Sequence, residues 1–377
     1  MENRMFRWNS LTIIAILLLP VTSGKYQQLN ERATALGVAS TTLLGPVADN
    51  SHAGKTYSRD GAYSGVVNGA SSTTIVWTFQ DTITIGAAFV DNSGALGNVN
   101  EPTVVTDFTS TGNAEQFIPF SAAEAAFNAA ANSGSNRKAL WSGSGVIPLF
   151  NNISAIWFDR FHINSNDVST WVIEGNSVAL VQIASNGAPV VTDRLVETLF
   201  LNTTTRYGSF AVTRGSDASD GYVYTYGGVG CCGGFASDLH LARVPVLYVG
   251  SASSYEIWDG TAYTLGGTPA TVLEESLNSG TVTWSPYLSA YLMVYQTGFV
   301  DSLIYGRTAT NLHGPWSERV QLFNASTQLA AGTFAYTVAA HPEYYGFSTG
   351  GKDLMVSYAV GGDPDIVIVQ SVKITLS

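Results

Sequence analysis

Apolar residues in this chain fall in short runs rich in Val, Ile, Tyr, Phe and Trp, each bounded by Gly, Ser, Asn or Asp. Such runs predict strands separated by turns. They cover Ser154 to Ile163, Trp171 to Glu174, Ser177 to Ile183, Gly208 to Val212, Tyr222 to Tyr226 and Leu239 to Val249. They continue through Thr281 to Trp284, Tyr291 to Gln296, Ser302 to Arg307, Asp353 to Ala359 and Asp365 to Ile374. One stretch breaks the pattern. Ser121 to Asn132 is Ala-rich and opens on Ser121 with Glu124 three residues later, the capping-box signature of a helix start. The chain therefore reads as all-β with one short inserted helix. Part of residues 25 to 58 is expected to add a strand, and residues 83 to 112 to supply outer strands and loops.

A repeat lies beneath these runs. Tyr222 to Tyr226, Tyr291 to Tyr295 and Leu354 to Tyr358 resemble one another and start 69 and 63 residues apart. A similar step back from Tyr222 lands on Ala155 to Phe158, and a longer one, lengthened by the helix, on Ala62. Five units, each one small sheet, predict a five-bladed β-propeller. A pair of β-sandwiches is the alternative, since sandwiches also show short strands with turn signals.

The stretch from Arg59 to Thr82 carries the sharpest chemical signal. Two β-prone runs, Ala62 to Val67 and Thr73 to Gln80, flank Asn68-Gly69-Ala70-Ser71-Ser72, a hairpin turn signal. Asp60 and Asp81 lie equally far from the centre of that turn, so antiparallel pairing brings them out together at the hairpin's open end. Two carboxylates about 5 Å apart suit glycoside hydrolysis with retention, and a wider spacing suits inversion. Crowding two carboxylates also raises one pKa, which makes an acid of it. The bland alternative pairs Asp60 with Arg59 and lets Asp81 cap a turn through Thr82. Because Asp220-Gly221-Tyr222 echoes Asp60-Gly61-Ala62, Asp220 is expected at the matching position of the third blade.

Other candidates are weaker. Trp157-Phe158-Asp159-Arg160-Phe161-His162 alternates aromatic and polar residues, which suits either a sugar-stacking platform or a half-core strand. Glu256 could tune the acid and Arg243 could bind a sugar hydroxyl, or the two could form a structural ion pair. His240, His313 and His341 lack ligand spacing, and Asp217 to Asp220 lacks the oxygen ligands of a calcium loop, so no metal site and no cofactor is expected. No nucleophile elbow, zinc-protease helix or phosphate-binding glycine loop is present.

The formal net charge of -11, with no basic run, disfavours nucleic acid and anionic membranes as partners. A neutral polysaccharide or oligosaccharide remains compatible, and a monomer is expected. Only 12% of residues are charged and 45% are hydrophobic, a composition that argues against disorder. Arg4 and Arg7 precede the apolar run Leu11 to Leu19, with small residues at Ser23 and Gly24, so residues 1–24 read as an export signal before one domain over 25–377. A signal anchor is the alternative. Sequons at Asn152, Asn202 and Asn324 fit secretion and glycosylation. Cys231 and Cys232 are adjacent, flanked by glycines; a vicinal disulfide ranks ahead of free thiols or an intermolecular bridge.

Several motifs together resemble domain-of-unknown-function family 4185. They are Arg59-Asp60-Gly61-x-Tyr63-Ser64, Trp77-x-Phe79-x-Asp81-Thr82, Leu241 to Pro245, Tyr255-Glu256-x-Trp258-Asp259-Gly260, Trp284 to Tyr287 with Tyr291-Leu292, and Tyr305-x-Arg307 followed by His313 to Ser317. The resemblance implies a secreted five-bladed propeller of fungal type, akin in architecture to glycoside hydrolase families 43 and 32. Bacterial relatives include endo-D-arabinanases of glycoside hydrolase family 183, whose Asp pair corresponds to Asp60 and Asp81. It implies catalysis by that pair. Arg59, Tyr63, Trp157, Asp159, Asp220, Arg243 and Glu256 are the residues expected to bind substrate. The family usually has Gly where this chain has Gln80, so the substrate, arabinan-type or other, does not carry over. A non-catalytic, lectin-like sugar-binding propeller is the rival function.

Overall fold

The computed structural model describes residues 35–377 except 53, 69–72, 110, 132–134, 231–237, 346–348 and 363–365. Cys231, Cys232 and residues 1–24, where an export signal is expected, fall outside the described residues.

Five sheets of four to six strands follow one another along the chain. The first strands of the five are Ala62–Asn68, Arg137–Ser142 continued by Ile147–Phe150, Ala211–Thr213, Leu277–Ser285 and Phe334–His341. Five clusters of buried side chains lie between consecutive sheets, and the last joins the fifth sheet, through Tyr344, Met355 and Val369, to Trp77 and Phe79 of the first. The ring is thus closed by apolar packing at every interface, and the molecule is a five-bladed β-propeller. Strand Val38–Pro46 pairs antiparallel with Ile368–Leu376, so the lead-in segment completes the fifth blade and covers what would be a bare sheet edge.

The helix spans Ala122–Ala131. Its capping box forms as expected: Ser121 N donates to Glu124 Oε2 at 2.8 Å, and Glu124 N donates to Ser121 Oγ at 3.3 Å. Glu124 also accepts from Arg160 (2.8 Å) and Arg194 (2.5 Å), which ties the helix to the second blade.

Two cavities lie on the axis. One, of about 140 Å³, is bounded by Tyr63, Ser209, Ser279 and Thr337, at or near the start of four first strands, and by Ser142, midway along the continued first strand of blade two. The other, of about 700 Å³, is bounded further along the same strands, by Val66, Leu149, Arg214, Trp284 and Glu343 among others. Every first strand therefore runs away from the small cavity, and every second strand runs back towards it. This polarity corrects one expectation. Asp60 precedes a first strand, whereas Asp220 precedes the second strand Tyr222–Gly227. Asp220 consequently lies at the far end, where it accepts from the Tyr224 hydroxyl at 2.8 Å. The matching Asp-Gly motifs come from strands of opposite direction.

Candidate functional site

The hairpin register is the one the sequence predicts. Ala62 faces Phe79 and Asn68 faces Thr73. Two further backbone bonds extend the ladder: Asp60 N donates to Asp81 O, and Gln80 N to Asp60 O, each at 2.8 Å. The two aspartates thus leave the open end of the hairpin as a cross-strand pair. Neighbouring Arg59 does not neutralise Asp60. Its guanidinium is buried on the other side, 2.9 Å from Asp107 and 3.5 Å from Asp49, over the rings of Tyr57 and Phe79. Arg59 is therefore structural, not a substrate ligand.

Asp81 is held on both oxygens. Arg137 Nη2 donates to Oδ2 at 2.6 Å and Trp141 Nε1 to Oδ1 at 2.8 Å, both from the first strand of the second blade. Burial pushes its pKa up, and Arg137 and Trp141 oppose that rise. Asp60 lacks such a clamp. Its Oδ1 is buried with no hydrogen-bonding partner among the described residues. Burial first, and the charge of Asp81 second, push its pKa up to about 7, against the lowering effect of a hydrogen bond from Tyr336. Tyr336 reaches it because the first strand of the fifth blade carries a bulge between Tyr336 and Ala339, with Thr337 at φ 51°. Such a φ is rare for a β-branched residue and recurs where function over-determines the backbone.

The small cavity adds a third carboxylate. Asp159, largely buried on the second strand of blade two, lines it together with Arg206, and Arg206 Nε donates to Asp159 Oδ1 at 3.2 Å. Arg206 is 1% exposed. Tyr63 also lines the cavity, and its hydroxyl senses the charges of both Asp60 and Asp159. Asp60 and Asp81 adjoin the cavity through their neighbours: Gln80, which precedes Asp81, and Trp141, which bonds it, both line the space. Gln80 accounts for its own bulk. Its side chain lies over Gly61, where an added Cβ would come within 2.6 Å of it, and its Nε2 donates to Ser142 O at 3.1 Å across to blade two.

Three expected site residues lie elsewhere. Trp157 is fully buried between blades two and three, with Nε1 donating to the Tyr255 hydroxyl at 3.1 Å, so it offers no face to a sugar. Arg243 and Glu256 are cross-strand neighbours in blade three, bonded at 2.7 Å, with the guanidinium over Tyr222 and Tyr263. They form the structural ion pair, near the Asp220 end of that blade. Sequence reading in turn missed Arg137, Trp141, Arg206 and Tyr336. All four lie on or beside first strands.

At the other cavity, Glu343 contacts the Ser64 hydroxyl, which also contacts His341 Nδ1, while His341 Nε2 lies 2.6 Å from Ser357 Oγ. Burial raises the Glu343 pKa to about 8 and lowers that of His341 to about 3, so both are neutral at pH 7. A raised carboxyl pKa contributes its full stability below the unfolded value and loses it as pH rises through the folded one. Glu343→Gln is therefore expected to match the wild type in stability near pH 4.5. It should exceed the wild type above pH 8 by on the order of 4 kcal/mol. Denaturant unfolding at both pH values measures this, and a constant difference would contradict it.

The family described as Domain of unknown function (DUF5005) matches residues 53–366. This corrects the resemblance to family 4185, which rested on short motifs of a few residues each. No curated protein matches the chain. Among solved structures, a candidate hydrolase from Bacteroides ovatus ATCC 8483 is similar, with a TM-score of 0.55, 15% identity, and 84% of this chain and 85% of that one covered. An exo-β-1,3-galactanase variant from Phanerochaete chrysosporium, solved with β-1,3-galactotriose, gives 0.53 and 13%, over 88% of this chain and 63% of the galactanase. A GH43_1 enzyme from Xanthomonas citri complexed with xylotriose gives 0.50 and 12%, over 88% and 90%. These likenesses establish a common fold.

Proposed function

Since the chain belongs to the DUF5005 family, whose description assigns no activity, we propose its function from the site: it is a glycoside hydrolase that cleaves neutral glycans. The observation that carries this reading is the Asp60–Asp81 cross-strand pair, with one member near neutral pKa and its Oδ1 unpartnered, and the other clamped on both oxygens. Asp60, protonated below pH 7, gives its proton to the leaving glycosidic oxygen as the anomeric C–O bond breaks. Asp81, held by Arg137 and Trp141, supplies negative charge to the oxocarbenium-like transition state. Water completes the reaction at the anomeric carbon and restores the proton to Asp60. Asp159, Arg206 and Tyr63 bind sugar hydroxyls at the cavity floor. The fold shared with glycan-bound enzymes supports the substrate class, and arabinan-type chains are included in it.

In this reading the protein is exported after removal of residues 1–24, acts as a monomer, and carries glycans at its sequons. Asn152 and Asn202 are exposed in turns. Asn324 uses its Oδ1 to cap Ala325–Gln328, accepting from Ser326 N at 3.0 Å. One observation favours the lectin-like alternative: Asp159, which lines the cavity, is itself tied to Arg206. Reducing-end release from arabinan, arabinogalactan and fungal wall polysaccharides tests the choice. Release from at least one is expected. Binding without release from any would leave the lectin.

A further inference from the structure

The shape of the small cavity says how much of a glycan it accepts. It measures about 140 Å³, below the roughly 300 to 1,000 Å³ of sites for drug-sized ligands. Residues from every blade line it. Val168 and Trp171, from the turn between the second and third strands of blade two, form one wall. Phe299, from the corresponding turn of blade four, lines it too. Trp171 is fixed by its Nε1 bond to Ser165 O at 2.9 Å and by Trp141, 5.6 Å away between ring centres. Val168 and Phe299 are 41% and 37% exposed, so apolar side chains form the lip. A polysaccharide running across the face would need an open groove, and these turns stand in its way.

Charge narrows the ligand further. The cationic groups at the site are already matched: Arg206 by Asp159, and Arg137 by Asp81 and Asp91. A uronic acid carboxylate would enter without an unmatched cation to receive it, beside Asp60 and Asp81.

We propose that the cavity receives a single neutral sugar unit at a chain end, so that the protein acts on glycans from the terminus. The proposal deepens the hydrolase reading and rests on it for the cleavage step, but its binding geometry can be tested apart. Calorimetric titration would use β-1,3-galactotriose, xylotriose and an arabinose trisaccharide, each uncapped, capped by a bulky group at the non-reducing terminal unit, or capped at the reducing end. At least one uncapped trisaccharide is expected to bind, and one of its two caps to weaken binding tenfold or more while the other is tolerated. Phe299→Ala, which lowers the lip, should relieve part of that loss. Tolerance of both caps overturns the proposal, as does tight binding of a uronic acid trisaccharide with none of the neutral ones. Binding of none of these overturns it as well. Product analysis separates the two readings. Monosaccharide as the first product supports both, and mixed oligosaccharides with a fast fall in viscosity refute chain-end action alone. The capped-ligand pattern without any hydrolysis keeps the single-unit cavity and refutes the hydrolase.

Discussion

Asp60→Asn is expected to lower glycan hydrolysis by about 10² to 10⁴-fold, the usual contribution of a positioned proton donor, while leaving the fold intact. The substitution keeps the volume and the backbone pair with Asp81, whose bonds at 2.8 Å involve no side-chain atoms. It removes the one transferable proton. Oligosaccharide binding should persist, because Asp159, Arg206 and Tyr63, which line the cavity, are unchanged. Initial rates of reducing-end release, measured beside calorimetric binding, separate the two effects. Asp81→Asn is expected to lose rate as well, through a weaker electrostatic contribution. A fully active Asp60→Asn protein would remove Asp60 from the chemistry.

The second large effect concerns stability. Trp157→Ala is expected to cost roughly 3–5 kcal/mol, the range for deleting a large buried aromatic side chain. Trp157 fills the interface of blades two and three, bonds Tyr255, and packs so closely on Gly208 that an added Cβ there would come within 2.4 Å of the indole. Gly208 has φ 96°, so glycine is required for its backbone as well as its space. Urea unfolding checks the prediction. If unfolding is unchanged and sugar affinity is lost instead, Trp157 belongs to the binding surface after all.

The contrast between Trp157 and Trp141 shows what the sequence could reveal. Second strands such as Tyr222–Gly227 and Ala290–Thr297 are buried on both faces, so they read as continuous apolar and aromatic runs and exposed the five-fold repeat. First strands face the crowded axis. A Cβ on Gly65 would lie 2.0 Å from Val146 O, and one on Gly145 would lie 1.9 Å from Ser64 O. Small residues are therefore imposed there, and Trp141-Ser142-Gly143-Ser144-Gly145 carries little strand propensity. Arg137 and Trp141 of the candidate site stand on or beside that quiet stretch and so escaped notice. Asp60 and Asp81 did not, because a local turn fixes their pairing. Arg243 and Glu256 misled in the opposite way. A cross-strand ion pair and a catalytic pair look alike in sequence, and the side of the blade on which they emerge depends on strand direction.

The proton on Asp60 can be followed directly. Difference infrared spectra of the wild type against Asp60→Asn, from pH 4 to 9, isolate the carboxylic acid stretch of that residue. A band that disappears with a midpoint near pH 7, and at lower pH when Asp81→Asn removes the neighbouring charge, is the result expected from the paired carboxylates. A midpoint near that of a free aspartate, about pH 4, unmoved by Asp81→Asn, would mean that the two acids do not share a site and would contradict the proposed chemistry.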